Sequence, residues 1–510
     1  MDSVSSVAPR GDRFTHHALF RRRGAWGPGA PAVLSDPARF AASAHRAYVN
    51  PGEKVVGFGR GGSESLTLIL EVPGEDGLRV RKVLSERLVT PAWDRHGAGV
   101  MLPPFAKARS QVLFLEQLPP DVQAFFPKVL DLHERTIAAD PSDAEAEARG
   151  GVFHELFYDM SFVPGIEISE LVRRHGPPPA IVARLYEMVF SVLAERIHCH
   201  RIRVPARPTI EPSYFTKIVE RLALARRTAP RTFCDQLVAS DRIHINGRTY
   251  LNIGALLAEL RGRSELSAVL EPGYHALVIG DTNTENIKIT NPAPILAAMR
   301  RGDASFAAHE IGIRFLDPRA IGFHEGGRDT GSDDPMYDNK PWHNSLGNYD
   351  AIHGEYFDLT MHMRPEGADL RIAIHRDCPY RRSYDGLAGH FKEVMTRAWS
   401  LDDPQRSFVR DDPYWLIRFV FVMGTHFAAM PPFHVTKSAH GVLHDDPFSQ
   451  RRAVALYAEG IKWLNLAVDM LHGRVRHYLG FDIPALPRCA FNQGVRTAAH
   501  RTGATVEKQL

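Results

Sequence analysis

Cysteine is scarce in this sequence, with Cys199, Cys234, Cys378 and Cys489 the four in 510 residues. No two stand close enough for a CxxC pair, which argues against a zinc site or a disulfide framework and fits a reducing cytoplasm. His198-Cys199-His200 has the look of a metal tract, but the apolar spacing before it reads as the end of an amphipathic helix. An excess of one charge is also lacking. Lys and Arg number 62 against 59 Asp and Glu, a formal +3 with a sequence pI of about 8.6. That is too diffuse for a nucleic-acid surface, and Arg21-Arg22-Arg23 reads as a solvated terminus. Residues 1–30 contain no apolar h-region, so no signal peptide is expected. The most apolar stretch, Tyr414 to Met430, is interrupted by Arg418, Gly424 and His426. It reads as a buried helix rather than a membrane span. The expectation is a soluble, cytoplasmic protein with no membrane or nucleic-acid partner; its oligomeric state is not legible.

What is present is ordinary globular composition, 44% hydrophobic and 24% charged, in a chain long enough for two or three core-bearing lobes. Residues 1–45 are an Ala/Arg/Pro/Ser-rich lead-in without periodicity, and 486–510 form a C-terminal tail. Between Lys54 and Val89, VVGFG, SLTLILEV and LRVRKVLS alternate around the turn Pro73-Gly74-Glu75-Asp76-Gly77, an antiparallel meander. Residues 105–118 read as a helix, and FFPKVLD and VFHELFYDM as two more strands. After Pro164-Gly165 the period lengthens. ISELVRRHG, IVARLYEMVFSVLAERIHCH and the stretch near Tyr214 to Arg226 read as amphipathic helices. RIHINGRTYLN reads as a hairpin turning at Asn246-Gly247, Gly322 to Lys340 as a loop, and the remainder to about Leu479 as mostly helical. The fold class is α+β, with a small antiparallel-sheet lobe over 46–160 and a large helical lobe over 161–485.

Gly57-Phe58-Gly59-Arg60-Gly61-Gly62 satisfies G-x-G-x-x-G and runs through Ser63 into a strand rather than a helix. A strand–glycine loop–strand hairpin lets backbone N–H groups approach phosphate oxygens; the alternative is an ordinary surface hairpin. Lys82, twenty residues beyond Gly62, shares a strand face with Val80, opposite Arg81. It can serve as a compact cation on the α and β phosphates, or be a plain exposed lysine. The strongest signal is Val278 to Ile289, where apolar ends flank a polar loop with Asp281 and Asn286 five residues apart. Phosphoryl transfer needs an aspartate to orient or deprotonate the acceptor hydroxyl and, at this spacing, an asparagine oxygen for magnesium. The strand Ile311 to Leu316 ends in Asp317-Pro318-Arg319, so Asp317 is a candidate second magnesium ligand, though a carboxylate there can also cap a turn.

HALVIGDTNTENIKI resembles the H-G-D-x-x-x-x-N loop of the aminoglycoside/choline kinase-like phosphotransferases, and FLDPRAIG their magnesium-binding aspartate segment. The resemblance runs from about Val55 to Leu471 and implies a bilobal protein-kinase-like fold using ATP and Mg2+. FYDMSFVPG is similar to the hinge between lobes, which implies adenine contacts from the backbone near Tyr158, Met160 and Ser161. Asp334-Pro335-Met336-Tyr337-Asp338 resembles the D-P-x-x-D element whose aspartates brace the catalytic loop. KPWHNSLGNYD is like a subgroup of bacterial phosphotransferase-like proteins. Three departures stand out: Ile279 replaces the loop histidine, Asp281 and Asp317 are separated by an enlarged insert, and the helix partner of Lys82 is Gln111 or the late Glu116 rather than a mid-helix glutamate.

The acceptor is expected to be a small-molecule hydroxyl, with His343, Asn344, Asn348, Tyr349 and Asp350 as candidate contacts beside the loop after Gly322. A polycationic acceptor calls for an acidic pocket. The acidic pairs Asp402-Asp403, Asp411-Asp412 and Asp445-Asp446 instead sit where caps are needed. A neutral or anionic acceptor such as a sugar, nucleoside or other metabolite fits the slight basicity better. The competing expectations are a kinase of peptide or protein hydroxyls, a nucleotide-binding pseudokinase scaffold, and a nucleotide-dependent module of a larger assembly.

Overall fold

In the computed structural model, which describes residues 48–58, 66–85, 105–138, 151–319, 332–435 and 447–486, the N-terminal region is a five-stranded antiparallel sheet. Its strands are β1 (Lys54–Phe58), β2 (Leu66–Glu71), β3 (Leu78–Ser85), β4 (Val129–Ala138) and β5 (Val152–Ser161), ordered β1-β2-β3-β5-β4. Alternation sorts the faces. Leu68, Leu70 and Val83 pack with Tyr48 in a small core, while Val80 and Leu84 lean on the main one. Arg81 faces away from Lys82, as the alternation requires, and lies buried between two carboxylates. Its Nε and Nη2 donate to Asp159 at 2.7 and 2.8 Å, and its Nη1 and Nη2 to Glu53 at 2.7 and 2.9 Å. A planar guanidinium with fork-matched partners can stay charged there. The helix α1 (Ala106–Glu116) buries Val112, Phe114 and Leu115.

From Ser161 the chain crosses to the helical part. Gly165 takes φ +108°, and a Cβ there would lie 2.0 Å from the Ile289 carbonyl oxygen, so only glycine fits this close passage. Beyond it come β6 (Ile166–Glu167), α2 (Ile168–His175) and α3 (Pro179–Val192), whose end loosens into a π turn over Leu193–Ile197. α4 (Lys217–Thr228) follows another π turn, Glu211–Thr216, and the hairpin β7 (Arg242–Ile245) and β8 (Arg248–Leu251) turns at Asn246 and Gly247 with φ of 51° and 79°. Three elements frame the loop that carries Asp281 and Asn286: β9 (Ala276–Leu277), β10 (Ile287–Ile289) and, after the insert helix α5 (Ala293–Arg301), β11 (Ile313–Phe315). β10 pairs with β6 and β11, and β9 with β12 (Ser332–Asp333).

One sequence expectation is corrected here. The described half of Gly322 to Lys340, from Ser332 onward, is not a loop. It forms β12, a 3-10 turn over Pro335–Asp338 and the start of α6 (Lys340–Ser345), and is buried because β9 pairs with it. The remainder is mostly helical, as expected, with one interruption. After α7 (Tyr349–His353), β13 (Phe357–Arg364) and β14 (Gly367–Ile374) form a hairpin, and β14 runs parallel to β7, giving the sheet β13-β14-β7-β8. The apolar stretch near Tyr414 is α8 (Trp415–Ala428), packed against the long α9 (Pro447–Leu471). By length and composition Trp415–Val435 is apolar enough to cross a membrane, yet 89% of its apolar window is buried inside the fold.

Candidate active site

The loop after β9 is suspended from one carboxylate. Asp338 accepts the N–H of Ile279 at 2.8 Å, the N–H of Gly280 at 2.7 Å and Nε2–H of His198 at 3.0 Å, and its own carbonyl accepts the Thr282 hydroxyl at 2.7 Å. Asp338, the second aspartate of Asp334-Pro335-Met336-Tyr337-Asp338, thus braces the loop. The first, Asp334, instead caps Met336 N at 3.0 Å and holds Arg418 of α8 at 2.5 Å and the Tyr214 hydroxyl at 3.0 Å. The suspected metal tract is thus divided: His198 serves Asp338, while His200 meets Asp121 at 3.0 Å.

Asp281 and Asn286 come together at the loop's open side. Asn286 Nδ2 donates to the Asp281 carbonyl at 3.1 Å, which leaves its amide oxygen as the end suited to a cation. Asp281 is buried and receives Lys340 Nζ at 2.7 Å, Arg319 Nε at 2.9 Å and Asn283 Nδ2 at 2.8 Å. Burial alone would raise its carboxyl, but the charges of Arg319 and Lys340 outweigh that and hold it well below the usual carboxylate range. Lys340, which also donates to Gly280 O at 2.8 Å, is pulled down to about 8; burial is the main cause, Asp281 opposes it and Arg319 adds to it.

Asp317 lies at the end of β11 in the left-handed region, φ 52°. Leu316 N bonds Asn286 O and Arg319 N bonds Ile279 O, each at 2.8 Å, so the segment is stitched to the loop. Its side chain is 41% exposed, against 10% for Asp281. Lys82 of β3 reaches across from the sheet to Asp317 Oδ1, and Gln111 of α1 donates to the same oxygen at 2.7 Å and to Pro318 O at 2.6 Å. Neither sequence candidate bonds Lys82: Glu116 is exposed at the helix end, while Gln111 is buried and also accepts the Tyr158 hydroxyl. Its amide engages Asp317 rather than Lys82. Asp281, Asn286, Asp317 and Lys82 therefore form one continuous set. No three described His, Cys, Asp or Glu side chains cluster as a self-sufficient metal site. A carboxylate with an amide oxygen suits a hard cation that brings further oxygen ligands with it.

Other expected residues sit differently. Gly57 lies in β1 at an irregular step of its pairing with β2, while Gly59, Gly62 and Ser63 lie outside the described residues. Tyr158 lies within β5 and Met160 one residue before its end, paired on one side with Lys82 and Val80 and on the other with Leu132 and Val129. Their backbone is committed to the sheet, so adenine contacts there are not available as expected; the chain leaves the sheet only after Phe162 N bonds Leu78 O at 3.1 Å. His343, Asn344, Tyr349 and Asp350 are buried. Asn344 Oδ1 accepts Thr284 N at 3.1 Å and its Nδ2 donates to Asp350 at 2.5 Å. Asp350 also accepts the Thr284 hydroxyl at 3.2 Å and the Tyr384 hydroxyl at 2.6 Å. His343 stacks on Phe427 at 3.7 Å. Asn344 and Asp350 thus support the loop from beneath instead of facing an acceptor, because their polar atoms are spent on the chain. Arg319 and Lys340 are the functional candidates the sequence reading did not assign, although each stands two residues beyond an assigned aspartate, 317 and 338. No protein-family model matches the chain, and no curated protein matches it.

Proposed function

We propose that this chain is an ATP- and magnesium-dependent phosphotransferase of bilobal, protein-kinase-like architecture, acting on a hydroxyl group of a small molecule. The observation that carries the proposal is the meeting of Asp281, Asn286 and Asp317 on one side of the cleft with Lys82 on the other. Asn286 and Asp317 would hold magnesium, which would neutralise charge on the triphosphate. Lys82 would neutralise phosphate charge from the sheet side. Asp281 would orient the acceptor O–H; its oxygen attacks the γ-phosphorus, the proton leaves to Asp281 and then solvent, and the bond to ADP breaks. A carboxylate held down by two cations is a weak base. That suits a loose transition state, where the proton moves late and positioning dominates. Arg319 and Lys340 would add positive charge where the transferred group gains negative charge.

The test is magnesium-dependent ATP turnover against a panel of hydroxyl metabolites, with mass spectrometry for the added phosphoryl group. Asp281→Ala is expected to lower turnover about 10³-fold while nucleotide binding persists. Unchanged turnover in that variant removes the assignment. A nucleotide-binding scaffold is the second reading, favoured by Lys82 resting on Asp317; it predicts nucleotide binding with no turnover on any acceptor, peptides included.

A further inference from the structure

Thr284 is wholly buried in the loop between Asp281 and Asn286, and its hydroxyl and its N–H both lead to one carboxylate. The hydroxyl donates to Asp350 at 3.2 Å. The N–H donates to Asn344 Oδ1 at 3.1 Å, and Asn344 Nδ2 in turn donates to Asp350 at 2.5 Å. Tyr384, at the end of the short helix Arg381–Tyr384, gives Asp350 a third donor at 2.6 Å. All three donors are neutral, and among the described residues no cation stands within ion-pair distance of this buried group. The titratable groups that feel its charge are phenols and a thiol: Tyr186 of α3, Tyr349 of its own helix, and Tyr380, Tyr384 and Cys378 beyond β14. His343 of α6 and His353 of α7 adjoin the Tyr349 ring at 5.2 and 5.3 Å, and burial pulls His343 well below its ordinary range. The formal charges around the group bear on these rings: Glu285, Asp281 and Arg452 of α9 on Tyr349, Arg173 of α2 and Glu285 on Tyr380. Arg452 is already paired with Glu355, and Arg173 with Glu170 at 2.7 Å.

An ionised carboxylate only accepts, so its two oxygens can answer three donors at once. Protonated, one oxygen becomes a donor, and the three neutral donors compete for fewer lone pairs. Thr284, with the longest bond of the three, is the first to be displaced, and Asn344 must turn to keep a partner. Burial without a counter-charge favours the protonated form and raises the carboxyl to about 6, with Tyr384, Asn344 and Thr284 opposing. Resting on the phosphotransferase reading, we infer that Asp350 is a positioning residue for the reaction: its ionised form pins the loop of Asp281 and Asn286 through Thr284 and Asn344, and its protonation lets that loop go. The hold is complete above the carboxyl's folded value and is lost as pH falls through it. Asp281 stays ionised and Lys340 charged over that interval, so neither accounts for the change.

The experiment follows the Thr284 amide by nuclear magnetic resonance in the full chain, isotopically labelled at threonine nitrogen, with Thr284→Ser identifying the signal. Between about pH 5 and about pH 7 the signal is expected to titrate with a midpoint of about 6. Asp350→Asn should abolish that titration. Tyr384→Phe removes the foremost of the donors that keep the carboxylate ionised, and should raise the midpoint by about half a pH unit or more. In parallel, calorimetry measures Mg·ADP affinity at both ends of the range. The unaltered chain should lose about fivefold more affinity on acidification than Asp350→Asn, and the nucleotide's own protonation cancels in this comparison. A single cooperative melt reports that each variant is folded. A Thr284 signal that does not titrate, or a midpoint that Asp350→Asn or Tyr384→Phe leaves in place, overturns the inference. An acid loss of Mg·ADP affinity equal in the unaltered chain and Asp350→Asn overturns it too, since a merely structural carboxylate would give that result. Failure of Mg·ADP to bind at either pH sinks the phosphotransferase reading instead, and the Thr284 titration then still decides whether Asp350 holds the loop.

Discussion

The two sides of the cleft are built in different ways. Beneath Asp281 buried side chains hold the loop: Asp338 holds two amides and an imidazole, and Asn344 and Asp350 hold Thr284. The sheet side has a small core of its own, while α1 and β5 pack into the main core with the helices. It meets the other side through Lys82 and Gln111 on Asp317, the Phe315 N–H on Phe125 O at 2.8 Å, and the passage at Gly165. One side is held by hydrogen bonds to the loop's backbone, the other joins it by apolar packing and a few polar contacts. On the proposed function, the difference would place the hydroxyl with rigid groups and leave the nucleotide side freer to adjust.

The sharpest way to break this comparison is Asp338→Ala. It strands two buried amides and the His198 imidazole, and about 3–5 kcal/mol of stability should be lost in denaturant unfolding. A loss under about 1 kcal/mol would show that the loop holds itself. Gly165→Ala comes next, at about 2–4 kcal/mol, because its Cβ would strike the Ile289 carbonyl in a backbone region closed to alanine. Gln111→Leu tests the sheet side. It should weaken Mg·nucleotide binding about five- to tenfold in calorimetry while costing only about 1–2 kcal/mol of stability. The smallest effect concerns pH. Lys340 carries its charge below about 8 and sheds it above, so Asp281 loses one of its two cations as pH rises through that value. Turnover should then fall about two- to fivefold between neutral and alkaline conditions, and Lys340→Arg, whose charge persists, should flatten the decline.

Much of this was legible in the sequence, for physical reasons. β1 to β3 announce themselves because one face of each strand is apolar, and the same alternation separates Lys82 from Arg81. The loop from Val278 to Ile289 is legible because short apolar strands must flank a polar turn. What could not be read was which polar residues become buried. Lys340 followed by Pro341 looks like an ordinary helix start. It is enclosed because Trp342 packs on Tyr186 at 5.1 Å, Phe190 at 6.0 Å and Phe391 at 4.7 Å. Asn344 and Asp350 look like surface contacts for the same reason: Thr284 and Tyr384, which satisfy them, are distant in the chain. The β13–β14 hairpin was legible in principle, since Phe357–Arg364 alternates in burial around the turn at Arg364–Gly367. The helical pattern on either side of it masked the change of period.

Asp338 grips the backbone at 279 and 280, never a side chain there. The identity of residue 279 is therefore decoupled from the shape of the loop: isoleucine can fill the space as a hydrophobe, and the imidazole that touches the same carboxylate is lent by His198 from the end of a helix. An imidazole can thus reach this carboxylate from a part of the chain distant from the loop.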